Sequence, residues 1–391
     1  MRQMQLAKPG GLDKFKLNEL EIPKPKDNEI LIKVNASSLN YHDLMCALGL
    51  IPTDDGRVLL GDAAGEVVEI GAAVKNWQVG DKVMSACFPN WVDGPPRYEL
   101  LSFIGDNQDG YATEYIAIQE TAVTKMPSKW SLQEAATLPC AGLTAWRALV
   151  DEGRLQSGES VLVQGTGGVS IIALQFAKEM GAKVIATTSS DEKAEKLKEL
   201  GADEIINYKE HPKWGEKVLE VTDNEGVDHV VEVGGGETFN ESIRAVKLGG
   251  HIALIGVLSG PAASELVLPR IFLKQVRTSG IAMANHQSQK AMVEYLDNSE
   301  IKPVISDAFD LAELAEAFQH QIDNKHFGKI SITFFGRRTV AISKSASDFF
   351  IYNISLTQPP TIHDSPCSRS SFKTKLSSEE RYSLWSSMYL R

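Results

Sequence analysis

The chain has 391 residues, 43% of them apolar, which at roughly 150 residues per domain suits two or three domains with sizeable cores. Lys and Arg number 40 against 51 Asp and Glu, a formal net charge of −11 that disfavours bulk electrostatic binding to nucleic acid or an anionic membrane. No apolar run approaches the 18 or so residues of a spanning helix, no secretory h-region follows Met1, and Cys46, Cys87, Cys140 and Cys367 form no C-x-x-C pair, so a soluble cytoplasmic protein without a disulfide framework is expected.

Residues 1–125 are rich in short β-prone runs broken by turns, at 29–34, 64–71 and 80–84, the pattern of a small β-barrel or sandwich. From about residue 158 strands alternate with helices. Strands are expected at 160–164, 183–188, 204–207, 227–233 and 251–257, with helices at 169–180 and 191–200. Such alternation means right-handed βαβ units and a doubly wound parallel sheet. Residues 328–334 alternate like a closing strand. Beyond them, residues 335–391 carry eight Lys/Arg, four Asp/Glu and thirteen Ser, lose both periods, and read as a poorly ordered basic extension.

The segment 160–170, Ser-Val-Leu-Val-Gln-Gly-Thr-Gly-Gly-Val-Ser, passes from a buried-type strand through a tight glycine turn into an apolar helix. Gly165 permits the turn. Gly167 lets the backbone come close to a pyrophosphate, which rests on the free N–H groups and positive end of the helix. Ser170 replaces the third glycine of G-x-G-x-x-G, a small change where helix packs on strand. With βαβ patterning on both sides, the turn reads as a dinucleotide site. About 20 residues past the first glycine, where NAD-preferring turns carry a carboxylate, the chain reads Thr187-Thr188-Ser189-Ser190. A carboxylate there would repel a 2′-phosphate by several kcal/mol at an effective dielectric of about 20, whereas hydroxyls donate to it and Lys193 adds charge. NADP(H) is expected over NAD(H).

Four further segments carry a family likeness: Ser37-Ser38-Leu39-Asn40-Tyr41-His42-Asp43-Leu44, Gly61-Asp62-Ala63-Ala64-Gly65-Glu66-Val67-Val68, residues 134–146, and His326-Phe327-Gly328-Lys329. Together with the glycine turn, and in this order, they resemble the medium-chain dehydrogenase/reductase superfamily, in its zinc-free alcohol dehydrogenase-like and quinone oxidoreductase-like branch. The resemblance implies a GroES-like catalytic domain over 1–125, a Rossmann domain over 126–283 and a return to the catalytic domain over 284–334. It also implies a homodimer through the sheet edge at 277–283. The implied activity is hydride transfer between a nicotinamide and a small-molecule substrate: an alcohol/aldehyde pair, an enone or a quinone.

In zinc-using relatives a Cys stands at the position of Asn40 and a His at that of Gly61, while their third ligand matches Cys140, four residues before Thr144. A catalytic zinc needs three protein ligands, and Cys140 with Asp62 is too few, so no metal is expected. The resemblance assigns Asn40 to orienting the nicotinamide ribose or a substrate oxygen, Tyr41 to donating a hydrogen bond to that oxygen, and His42 to relaying a proton. Asp43 is read as a loop anchor. Thr144 is expected at the nicotinamide; Gly165, Gly167, Gly168 and Val169 around the pyrophosphate; Ser189, Lys193 and Tyr208 around the adenosine phosphate. Val233-Gly234 and Ile255-Gly256 end later strands at the carboxyl edge, and Phe327 and Lys329 are expected to close over the cofactor. Residues 88–96 border the substrate pocket, with Trp91 either facing a substrate or anchoring the loop. Two other readings stay open: a zinc alcohol dehydrogenase with an atypical ligand set, and a non-catalytic, crystallin-like NADPH-binding protein, whose RNA binding the acidic core disfavours.

Overall fold

In the computed structural model, which describes residues 1–262 and 266–335, two large sheets divide the chain. The N-terminal strands are β1 (Arg2–Leu6), β2 (Phe15–Glu19), β3 (Glu29–Ser38), β4 (Ala64–Ile70), β5 (Lys82–Ser85), β6 (Tyr115–Gln119) and β7 (Val123–Lys125). β1 and β2 pair with each other in a two-stranded sheet, while β3 pairs antiparallel with both β4 and β6. Flanked on both sides, β3 is buried along most of its length and ends in Ser37 and Ser38, both buried. The chain then enters α1 (Tyr41–Ala47).

Residues 134–146, which the family resemblance reads as the helix entering the cofactor domain, do not run as one helix. α2 (Leu132–Ala135) and α3 (Leu143–Trp146) are one turn each, separated by a π-helical turn at Leu138–Gly142 and followed by another at Arg147–Asp151. Such wide turns mark functional sites more often than framework. Pro139 removes a backbone donor inside the first of them, which explains why α2 cannot run on.

The second sheet contains β8 (Ser160–Gln164), β9 (Lys183–Thr188), β10 (Glu204–Asn207), β11 (Val227–Glu232), β12 (Val246–Leu254) and β13 (Arg277–Gly280). Between them run α4 (Gly168–Glu179), α5 (Asp191–Glu199), α6 (Trp214–Val221), α7 (Phe239–Ala245) and α8 (Leu268–Leu273). All pairings are parallel, in the order β10-β9-β8-β11-β12-β13. Counted from β8 this is 3-2-1-4-5-6, the doubly wound order whose ligand crevice opens where the strand order reverses, between β8 and β11. Alternate residues of β8 feed two cores. Val161 and Val163 pack with Ile171, Leu174 and Phe176 of α4, and Leu162 packs on the other face with Ile185, Val230 and Ile252. Each such side chain contributes about 1.5–3 kcal/mol of burial.

β12 starts five residues before the strand expected at 251–257 and stops at Leu254. The Gly249-Gly250 pair inside it, with a register shift between Val227 and His229 on β11, hides its continuity in sequence.

α9 (His286–Asp297) brings the chain back, and β14 (Ile305–Asp310), α10 (Leu314–Ile322) and β15 (Lys329–Thr333) follow. β15 joins β3 antiparallel, with Ser331 opposite Ser38, so the returning segment completes the N-terminal sheet in the order β14-β15-β3-β4-β5-β7. The basic, Ser-rich extension lies outside the described residues, apart from Phe335.

Candidate active site

Asn40 caps α1 directly after β3, and its backbone N–H donates to Asp43 Oδ2 at 3.0 Å. Gly61 N–H donates to the other oxygen, Oδ1, at 3.2 Å. Asp43 therefore ties the start of α1 to the segment before β4. Burial, with Asp62 nearby, pushes its carboxyl up to about 6.

The centre of the site is Asp62, whose side chain is wholly buried. Its Oδ2 accepts from Ser38 Oγ at 2.6 Å, Asn40 Nδ2 at 2.9 Å and Lys329 Nζ at 3.2 Å, and its Oδ1 from the Cys140 backbone N–H at 2.9 Å. Four donors from three chain segments thus meet on one carboxylate. Lys329, at the start of β15, is only 6% exposed. Its ammonium also donates to Leu39 O at 2.8 Å and Asn40 Oδ1 at 2.6 Å, so all three N–H bonds are used inside the protein. Hydrogen bonding on this scale is what a buried ion pair requires to offset desolvation.

The stem of Lys329 crosses the nose of α4. A Cβ placed on Gly168 would lie 2.5 Å from Lys329 Cδ, so the first residue of α4 has to be glycine while the lysine passes. Gly328 N–H donates to Thr166 O at 2.8 Å, which joins the glycine turn to the segment before β15. At the turn itself Gly165 has φ +68°, a conformation that favours glycine, and nothing stands within 4 Å of a Cβ at Gly165 or Gly167. The N-cap of α4 makes no side-chain hydrogen bond. An open backbone cradle at an uncapped helix start is what a pyrophosphate needs, so these residues fit a dinucleotide.

A second buried carboxylate shapes the neighbouring strand end. Glu232, closing β11, accepts from Gly234 N at 2.7 Å, Gly235 N at 2.8 Å and Thr238 Oγ1 at 2.7 Å. Gln164, closing β8, donates to it at 2.8 Å and accepts from Val233 N and Gly234 N through Oε1, both at 3.3 Å. Ser242 Oγ completes the set. Ile255 N–H donates to Glu232 O at 2.8 Å, which sets Ile255-Gly256 against Val233-Gly234. Both pairs lie at the carboxyl edge beside the switch point.

At the far end of the crevice Ser189 follows β9 and Tyr208 follows β10, linked through Tyr208 N–H to Thr188 O at 3.0 Å. Ser190 caps α5 by accepting from Lys193 N–H at 3.3 Å. The Lys193 ammonium donates to Asn324 O at 2.8 Å, and burial draws its pKa down. Thr144 is buried on α3, Val169 is half-buried on α4, and Phe327 is packed in the main core with its N–H on Ser306 Oγ. Phe327 and Lys329 are thus both buried side chains.

The opposite wall is aromatic. His42 packs edge-on against Phe103, with centroids 4.4 Å apart, and its Nε2 lies 3.2 Å from Asp106 Oδ2. Phe88, Phe103, Trp91 and Cys87 cluster, with Cys140 and Met283 packed against them. A hydrogen bond with Cys140, together with burial, pushes the Cys87 thiol up. Trp91 is buried, its indole N–H donating to Gly94 O at 2.9 Å, and so anchors its loop. Tyr41 stands at the head of α1, 37% exposed, and burial of its ring pushes the phenol up. The structure thus joins Asn40 to Lys329 through Asp62, and engages His42 with Asp106. Sequence reasoning weighed Asp62 only as a weak metal ligand and missed Gln164 and Glu232. The available signal was a glutamate closing the otherwise apolar run Val230-Val231-Glu232-Val233.

Residues 26–128 match the alcohol dehydrogenase GroES-like domain family, and residues 168–298 the zinc-binding dehydrogenase family. The zinc-type alcohol dehydrogenase-like protein C1773.06c of Schizosaccharomyces pombe is 36% identical over 329 residues, 82% of this chain and 95% of that protein. The chain belongs to the medium-chain dehydrogenase/reductase superfamily. A solved NAD-dependent alcohol dehydrogenase superposes with a TM-score of 0.78 at 30% identity, covering 85% of this chain and 99% of that one. The 2-octenoyl-CoA carboxylase reductase CinF, in complex with NADP and 2-octenoyl-CoA, superposes with a TM-score of 0.78 at 25% identity, covering 88% and 89%. As a medium-chain dehydrogenase/reductase, the protein is an NAD(P)-dependent oxidoreductase with a GroES-like and a Rossmann part. Among its described residues no helix is long and apolar enough to cross a membrane.

Proposed function

We propose that the protein is an NADP(H)-dependent reductase that works without a metal at the hydride-transfer position, on a small alcohol/aldehyde pair, an enone or a quinone. The observation that carries this reading is the Lys329 ammonium, seated between Asn40 and Asp62 where zinc-using relatives hold their ion. A dication bound by the Asn40 side chain would sit beside that ammonium and be repelled by several kcal/mol at an effective dielectric of about 20. Gly61 supplies no ligand atom at all.

The nicotinamide would supply a hydride from its C4 position. The chain's own residues orient and exclude. Gly165, Gly167, Gly168 and Val169 offer the cradle for the pyrophosphate, and Val233, Gly234, Ile255 and Gly256 border the crevice alongside Thr144. Hydroxyls at Thr188, Ser189 and Tyr208, without a carboxylate among them, favour a 2′-phosphate. Asn40 has one amide hydrogen on Asp62, and its second is available to orient a ribose or substrate oxygen. Tyr41, whose phenol is protonated at neutral pH, is suited to donating a hydrogen bond to an oxygen that gains charge. The Phe88–Phe103 wall excludes water beside it.

A homodimer is supported by the edge strand β13 and by the neighbouring α8, where Phe272 is 65% and Leu273 68% exposed. Free, described cysteines Cys46, Cys87 and Cys140 suit a reducing compartment such as the cytoplasm. The test is NADPH oxidation against a panel of quinones, enones and aldehydes, with NADH alongside and the protein treated with a chelator. Turnover that favours NADPH by tenfold or more and survives chelation is expected. A preference for NADH, or activity that is lost on chelation, restored by zinc and absent in Cys140→Ala, overturns the reading.

A further inference from the structure

One turn beyond Asn40, a second group of side chains converges, and the proposed hydride chemistry gives two of its three members, Cys46 and Asp106, no role. His42 and Cys46 stand four residues apart on α1, and that spacing puts both on one face of the helix. Asp106 reaches the same face from the loop between β5 and β6. One ligand atom from each of the three lies within 4.8 Å of the other two. The Asp106 loop is built rather than loose. Asn107 Oδ1 accepts from Phe103 N and Ser102 Oγ, both at 3.0 Å, and Gly105 N–H donates to Gln108 O at 2.9 Å. Cys46 is fully buried beneath, while His42 and Asp106 are half-buried above it.

We propose that His42, Cys46 and Asp106 form a three-ligand site for a divalent ion of the zinc class. One imidazole nitrogen, one sulfur and one carboxylate oxygen are the donor types that zinc and cobalt accept, and calcium or magnesium would not choose a thiolate. Only a modest closing of side chains is needed to bring donors within 4.8 Å of one another around an ion with bonds of about 2.0–2.3 Å. On binding, the Cys46 S–H bond breaks, the sulfur bonds to the metal and the proton goes to water; the thiolate and the Asp106 carboxylate then balance the two positive charges. Water or substrate takes the fourth position. The ion fixes the His42 ring, clamps the Asp106 loop onto α1 and stiffens the aromatic wall. The site is separate from the Asn40–Cys140 position and holds whether or not the hydride reading does.

The untagged full chain, stripped with a chelator, is titrated with Co²⁺ alone. One equivalent should bind, with a thiolate-to-cobalt band in the near ultraviolet and about one proton released per ion. Cys46→Ala should abolish the band. Asp106→Asn, a change on the loop, should weaken binding by at least about tenfold while the fold, followed by circular dichroism, is kept. Binding without the band, no binding, or unaltered affinity in Asp106→Asn overturns this site and leaves the reductase reading standing. A band lost in Cys140→Ala and kept in Cys46→Ala puts the ion at the Asn40–Cys140 position, and overturns this site and the metal-free reading together.

Discussion

Lys329 Nζ stands 3.2 Å from Asp62 Oδ2, although 267 residues separate them. Through this pair β15, the last strand among the described residues, is fastened to the barrel segment before β4, with Asn40 bridging the two by accepting from the lysine and donating to the carboxylate. The lysine stem lies across the start of α4. One side chain thereby links the Asn40–Asp62 cluster to the glycine turn.

Removing only the positive partner should be costly. Lys329→Met leaves the buried Asp62 carboxylate with its neutral donors and no countercharge, at a loss of about 3–5 kcal/mol. Replacing both, in Lys329→Met with Asp62→Asn, should recover most of that loss, because a neutral amide no longer needs a cation. Urea unfolding of the two variants and the parent decides it. A single variant as stable as the parent would show that the pair carries no stabilising charge balance.

The glycine turn offers a contrast between neighbours. Gly167→Ala adds a methyl into open space, so unfolding stability should stay within about 0.5 kcal/mol of the parent. The same methyl occupies the cradle, so KM for NADPH should rise by tenfold or more. Gly168→Ala instead drives a methyl against Lys329 Cδ, and it should lose stability as well as affinity. Thermal melts paired with NADPH titrations separate the two. An unchanged KM for NADPH in Gly167→Ala would mean that the cradle is not where the cofactor lies.

The cofactor preference turns on Ser189. A carboxylate in its place, by Ser189→Asp, would face the 2′-phosphate beside Thr188 and Tyr208 and should cut kcat/KM for NADPH by at least tenfold. NADH, which presents ribose hydroxyls there, should be used better than by the parent. Steady-state kinetics with both cofactors checks this. If NADPH use is unchanged, the end of β9 does not read the phosphate.

Local signals made much of this legible. The strand–glycine–helix run at 160–170 fixes backbone geometry over a few residues, so the cradle followed from sequence, and the βαβ alternation foretold the parallel sheet. What escaped lies between distant segments. Nothing in the neighbourhood of Lys329 announces that its ammonium folds inward onto Asp62 and Asn40, since a lysine at the start of a strand is ordinarily solvated. Trp91 was ambiguous for the same reason: only its hydrogen bond to Gly94 and its burial reveal an anchor. The π-helical turns around Cys140 and Arg147 carry no periodic signature either, and the region reads as one helix until its packing is known.

Stability should fall on mild acidification, and the sign follows from two buried groups, His251 and Asp43, and the half-buried His326. His251 and His326 are pushed down to about 4, mainly by burial and, for His326, also by Lys193, from an ordinary value of 6.5. Between about 4 and 6.5 the unfolded chain therefore binds more protons at these two positions, and stability is lost as pH falls through that window. Asp43 acts the other way. Its carboxyl is raised from 3.8 to about 6, so its contribution is present at low pH and is lost as pH rises through about 6. Two histidines outweigh one aspartate, and the net loss between pH 7 and pH 5 should be about 2 kcal/mol. Urea unfolding at the two values measures it directly. His251→Gln, which cannot take up the proton, should remove about half of the histidine contribution. A parent protein equally stable at pH 5 and pH 7 would mean that these imidazoles are hydrated in solution.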